Sequence, residues 1–120
     1  MRHNLSCKSS FVVYLVTCTK PHNNLLQIQI CGKQYTGMTT QTMGQRHSAH
    51  KTEIKERSTP LGRHFSVCGI QNFSLQIIDT VKEGERDALE ILEGFWTHRL
   101  ATFEVHGNLN KKDELAVKRT

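Results

Sequence analysis

The pattern of this sequence predicts an α+β domain (α/β in the broad sense), with a small, mainly antiparallel three-stranded sheet flanked by helices. Three observations carry that expectation. Residues 11–17, Phe-Val-Val-Tyr-Leu-Val-Thr, have the β-branched and aromatic composition of a strand. Residues 73–81 alternate apolar and polar positions before running through Ile77 and Ile78, and read as another strand. Residues 85–102 place Leu89, Leu92, Trp96 and Leu100 three or four positions apart, the spacing of one helix face.

The remaining elements follow in order. Residues 1–10 are polar and carry no periodic signal. Pro21 to Asn24 has turn chemistry, and Leu26 to Ile30 alternates like a strand with one buried face. After Cys31-Gly32 breaks that pattern, Lys33 to Thr36 forms a short strand ending at Gly37. Thr39 and Thr40 are candidate N-caps for a polar helix through Arg57, anchored by Met43, Ala49 and Ile54. Pro60 opens a second, short helix containing Leu61, His64 and Phe65. In the last helix Ala88, Ile91 and Phe95 widen the apolar stripe, and His98 and Arg99 suit its C-terminal turn. Residues 111–120 are a charged tail, and there are no repeats.

A chain of 120 residues holds one domain with one modest core. Hydrophobic residues at 37% and charged residues at 22% set aside a disordered chain. The longest apolar run, residues 11–16, is too short to span a bilayer, and the N-terminus lacks a signal-peptide pattern. An intracellular protein with no membrane partner is therefore expected. The net charge of +5 is uneven: residues 1–52 carry six Lys and Arg and no acid, whereas every Asp and Glu lies at Glu53 or later. A basic half suits a polyanion such as nucleic acid, or a solvated basic surface. With no secretory pattern, Cys7, Cys18, Cys31 and Cys68 are expected as free thiols or metal ligands rather than disulfides.

Five residues have the right chemistry to cut a phosphodiester. Arg46 and His50, four apart, project from one helix face. Arginine offers a planar, permanently charged fork for phosphate oxygens, and histidine shuttles protons near neutral pH. Tyr14 and Tyr35 lie on strands that can be neighbours. Glu93 sits beside the apolar stripe of the last helix, as a boundary residue or a ligand for a hard cation, with Glu90 as its competitor. Singly, each has an ordinary alternative in packing or solvation; together they supply base, phosphate clamp, proton relay and metal ligand.

The order of these residues is more specific. Val12-Val13-Tyr14, then Tyr35-Thr36-Gly37, then Arg46, His50, Glu93 and Asn110 resembles the GIY-YIG endonuclease family, over residues 7–110. Cys7-Lys8-Ser9-Ser10, Cys31-Gly32-Lys33-Gln34-Tyr35, Arg63-His64-Phe65 and Leu92-Glu93 resemble the nuclease domains of eukaryotic mobile elements of the Penelope-like type. The resemblance implies a GIY-YIG-like fold and a single-metal endonuclease acting on DNA in the nucleus, within a larger parent polypeptide or beside a fused domain. Tyr14, favoured over Tyr35, would help deprotonate the attacking water, which needs activation because a free phenol titrates near ~10. Arg46 would hold the phosphate, His50 would orient or relay a proton, and Glu93 would bind Mg²⁺ or Mn²⁺. Asn110, with Asn108 as alternative, would position the phosphate or brace the site.

The sequence departs from the family in one place above all. Its triplets stand closer together than the 21 positions separating Tyr14 from Tyr35. Excising residues 21–30 repairs the spacing and joins Cys18 and Cys31 into a C-x-x-C pair, so this segment reads as a hairpin insertion, tolerated at a loop tip. A register slip of one residue there would turn Tyr35 to the opposite face. Retroelement members of the family often carry zinc at this hairpin. Here Cys18 and Cys31 with His64 and Cys68 would form a structural Zn²⁺ site, Cys7 being the substitute ligand. Two other readings remain: a catalytically inactive nucleic-acid-binding remnant, and a zinc-stabilised interaction module.

Overall fold

The computed structural model describes residues 8–23, 28–100 and 109–110. Along the chain these form β1 (Val12–Cys18), β2 (Pro21–Asn23), β3 (Ile28–Ile30), β4 (Gln34–Thr39), α1 (Met43–Glu56), α2 (Pro60–Cys68), a 3-10 turn over Ile70–Asn72, β5 (Phe73–Thr80) and α3 (Arg86–Leu100). The fold is α+β, as expected: β4, β1 and β5 make one antiparallel sheet in that spatial order, with three helices around it. Among the described residues no helix is long and apolar enough to cross a membrane.

β1 is the central strand, and its composition explains why. Val12, Val13, Tyr14, Val16 and Cys18 are all fully buried, which only a strand covered on both faces permits. Alternation puts Val12, Tyr14, Val16 and Cys18 on one face. Across the ladders that face continues through Tyr35 and Gly37 of β4 and through Phe73, Leu75 and Ile77 of β5. Met43 of α1 and Leu61, Phe65 and Cys68 of α2 complete the core above it. Trp96 of α3 donates its indole N–H to Asp79 (3.0 Å), whose partner across the ladder is Val13, on the opposite face. The β1–β5 register shifts between Val13 and Tyr14, leaving Ile78 as the extra residue of a bulge.

Residues 21–23 and 28–30 leave the register of the tyrosine strands intact. They pair with each other as a separate two-stranded ladder. At its base, the Cys18 N–H donates to the Lys33 carbonyl (2.9 Å), the Gly32 N–H to the Cys18 carbonyl (2.9 Å) and the Cys31 N–H to the Lys20 carbonyl (2.8 Å). Val16 therefore stands opposite Tyr35 and Tyr14 opposite Gly37, so both tyrosines face the same way. Pro21–Asn23, expected as a turn, is strand; a proline at the first position of an outlying strand forfeits no needed N–H.

Local chemistry moves other boundaries. α1 is capped by Thr42 rather than Thr39 or Thr40, because Thr42 and Gln45 form a reciprocal capping box. The Thr39 hydroxyl instead accepts from the Gln41 N–H (3.0 Å). α1 ends at Arg57 in a left-handed conformation, close to the expected end. Phe11, expected in the strand, precedes it with a φ of 52°, and its carbonyl accepts from the Val81 N–H and the Thr80 hydroxyl (both 3.1 Å). α3 is rotated from the expected stripe: Leu89, Glu93 and Thr97 are buried, while Ile91 and Phe95 are 73% and 52% exposed. Residues 101 and 102, expected in that helix, and Cys7, Asn108 and residues 111–120 lie outside the described residues.

Candidate functional site

The site is built around a phenol that the fold has removed from water. Tyr14 has no solvent exposure, and a buried hydroxyl without partners costs about 1–3 kcal/mol, so its oxygen must be satisfied internally. Two side chains of α1 do this. Arg46 Nε donates to the Tyr14 oxygen at 2.9 Å, and His50 Nε2 lies 2.7 Å from it. The spacing of four expected from sequence thus aims both residues at one atom. His50, itself wholly buried, lies edge-on to the rings of Tyr14 (centroids 5.5 Å) and Tyr35 (5.9 Å). The two tyrosine rings are 6.3 Å apart.

Gly37 makes the close approach possible. A Cβ at this position would stand 2.5 Å from both Cζ and the oxygen of Tyr14 and 2.8 Å from the ring of Tyr35. The glycine of the second triplet is therefore the space into which the first tyrosine fits.

Charged side chains surround the phenol. Burial pushes the Tyr14 pKa well above that of a free phenol; Arg46 opposes this, and the negative charges of Glu53 and Glu93 add to it. Burial works against the Arg46 cation, but Tyr14, Tyr35 and Glu53 more than offset it, so the guanidinium stays charged. Burial holds the His50 pKa below the usual histidine value, against the pull of Glu53. A hydrogen bond from His50, with Arg46 and Thr59 contributing, holds the Glu53 pKa below the usual carboxylate value.

Glu53 is the residue that sequence reasoning misses. It comes three positions after His50 and seven after Arg46, hence on the same helix face, and that spacing was the available signal. One oxygen meets Arg46 (3.3 Å); the other meets His50 Nδ1 (3.3 Å) and accepts from the Thr59 hydroxyl (3.1 Å), at the N-cap of α2. Glu93, on α3, is 5% exposed and close enough for its charge to act on Tyr14.

Asn110 does not join this group. Its side-chain oxygen accepts from the Thr36 N–H (2.7 Å) and its amide donates to the Thr36 carbonyl (2.8 Å), using both ends of the amide on the outer edge of β4. It braces the strand that carries Tyr35.

A second cluster forms at the base of the β2–β3 ladder. One ligand atom from each of Cys18, Cys31 and His64 lies within 4.8 Å of the others, a group that could hold a metal ion. Cys31 Sγ and Cys68 Sγ each lie 3.5 Å from His64 Nε2. The Cys18 thiol also interacts with those of Cys31 and Cys68; burial, with these neighbours, pushes it up to about 12. The three described cysteines are free thiols. The register explains the convergence: β1 ends at Cys18, the hairpin returns at Cys31, and α2 presents His64 and Cys68 one turn apart.

Comparison with protein-family models, with curated proteins and with solved structures gives no match.

Two pKa shifts imply a pH dependence. The unfolded chain takes up a proton on His50 below 6.5 before the folded state does, and on Glu53 below 4.5 before the folded state does. Both favour the unfolded state on acidification, so stability should fall as pH drops through 6.5 and again below 4.5. Urea midpoints across this range measure it: His50→Gln should flatten the upper step, whereas stability that rises on acidification through 6.5 would contradict the assignment.

Proposed function

We propose that this domain is a metal-dependent endonuclease that hydrolyses DNA phosphodiester bonds at the cluster around Tyr14. The observation that supports it most is that Arg46 and His50 both bond the Tyr14 oxygen, with Tyr35 beside them and Glu93 in electrostatic reach. The resemblance to GIY-YIG nucleases supplies the same residues in the same order. Arg46, whose side chain is 25% exposed, would reach a phosphate oxygen and neutralise charge that develops on it. Tyr14 and Tyr35 would share the handling of the nucleophile's proton. Tyr14 is closed off by burial and Tyr35 is partly buried, so Tyr35 would meet the water and Tyr14 would pass a proton inward to His50. Glu93 would hold Mg²⁺ or Mn²⁺ with oxygens of the bound phosphate, a donor set that suits a hard cation needing one protein carboxylate. The metal, when bound, would stabilise the departing oxygen. Such a domain would work on nuclear DNA as part of a larger polypeptide.

The Cys18, Cys31, His64 and Cys68 cluster would hold a structural Zn²⁺. A tetrahedral ion with the usual Zn–S and Zn–N lengths places sulfur and nitrogen ligands about 3.6 Å apart. Both Sγ–Nε2 separations are 3.5 Å. The ion would tie the end of β1, the segment leading into β4 and α2 together on the sheet face that carries the tyrosines. This cluster also favours a second reading, a zinc-stabilised interaction module without catalysis.

Plasmid nicking separates these readings. Wild-type protein with Mg²⁺ should nick supercoiled DNA, while Arg46→Ala and Glu93→Ala should lose at least about 100-fold, the scale of a lost charge-stabilising group. Equal cleavage by all three would remove the nuclease reading, and salt-sensitive DNA binding without cleavage would identify an inactive binding remnant.

Metal content tests the second site. Purified protein should carry stoichiometric zinc, and a chelator or Cys31→Ser should remove it and lower the melting temperature. Protein that is fully folded and zinc-free would exclude the structural ion.

A further inference from the structure

We infer that Glu53 is a positioning residue that fixes the tautomer of His50, so that the Tyr14 hydroxyl proton points at His50 Nε2. The inference deepens the nuclease reading and rests on it for its catalytic consequence.

One chain of contacts fixes where each proton sits. Glu53 is ionised, as its lowered pKa requires, so both its oxygens only accept. The oxygen 3.3 Å from His50 Nδ1 therefore calls for a proton on Nδ1. His50 is held neutral by burial and carries only that proton, so Nε2 is left bare as an acceptor. Nε2 is 2.7 Å from the Tyr14 oxygen, whose one hydrogen must then lie between them. Arg46 Nε donates to the same oxygen, which suits a phenol whose own proton is turned toward His50. Among the described residues Tyr14, Tyr35, Arg46, His47 and Glu53 are titratable groups around this ring, and of these Glu53 offers Nδ1 a full negative charge.

The catalytic consequence is directional. When Tyr14 takes up a proton from the nucleophile's side, its own O–H bond breaks and an Nε2–H bond forms on His50. The resulting imidazolium lies against the Glu53 carboxylate, and the phenol oxygen stays under Arg46. A histidine in the other tautomer, with its proton on Nε2, could not accept. This is the logic by which a carboxylate orients the histidine of a hydrolytic triad. Thr59 at the head of α2 donates to the same Glu53 oxygen as His50 Nδ1, so the carboxylate is held from two helices.

The test is ¹⁵N-resolved NMR of the His50 ring, together with turnover, on the full chain. Wild type should show the proton on Nδ1. Glu53→Leu, which removes the acceptor at similar volume, should move it to Nε2. Glu53→Gln, which keeps an accepting oxygen, should retain it. The cleavage kcat should fall about 10- to 100-fold in Glu53→Leu, as for other groups that orient a working histidine, with KM little changed and partial recovery in Glu53→Gln. A wild-type proton on Nε2, or an unchanged tautomer in Glu53→Leu, overturns the inference. If Glu53→Leu does not fold, the wild-type tautomer alone decides. A wild-type protein that cuts no DNA removes the nuclease reading, while the tautomer still decides the role of Glu53.

Discussion

Everything around the candidate site depends on one hydroxyl that the fold has buried. Tyr14 sits at the middle of the central strand with no contact to solvent. Leaving its oxygen unpaired would be costly, and the nearest partners are both on α1. Arg46 and His50 bond that oxygen, and they in turn are held by Glu53. A polar network in a low-dielectric interior is favourable only when every member is satisfied, and among the described residues no buried side-chain nitrogen or oxygen is left without a partner. The docking of α1 on the sheet is thus set by hydrogen-bond geometry as well as by Met43 and Ile54.

The cysteine cluster and the tyrosine cluster share their supports. Cys18 and Tyr14 lie on the same face of β1, four residues apart. Tyr35 follows Cys31 by the same interval, and α2 carries His64 and Cys68 while its N-cap, Thr59, reaches Glu53. Aromatic contacts run between the two: His64 against Phe65 (5.1 Å), Phe65 against Phe73 (4.9 Å) and Phe73 against His50 (5.7 Å). Whatever fixes the thiols therefore fixes the frame in which the phenol, the guanidinium and the imidazole meet. The β2–β3 ladder pairs within itself and leaves the β1–β4 register undisturbed.

What could be read from the sequence was the part written in short-range periodicity. The strand at residues 12–18, the capped and punctuated helices and the one-face pairing of Arg46 with His50 all depend on neighbours a few positions away. The rest depends on distance or on choosing among near-equivalent residues. Thr39, Thr40 and Thr42 are alike as caps until Gln45 is seen to close a box on Thr42 alone. The stripe of α3 admits two rotations, and the one adopted buries Glu93 and Thr97 and exposes Ile91 and Phe95, because the carboxylate rather than the larger hydrocarbons faces inward. Asn110 meets Thr36 across 74 positions, a pairing no local pattern announces. Glu53 was legible by spacing, but its value appears only once both Arg46 and His50 are seen to need an anchor.

A single oxygen on Tyr14 organises this site. Tyr14→Phe removes that atom and leaves the ring. The variant should stay folded, lose about 1–3 kcal/mol of stability because Arg46 and the buried His50 each lose a partner, and lose cleavage of plasmid DNA. A Tyr14→Phe protein as stable as wild type that cuts DNA at the wild-type rate would contradict the account.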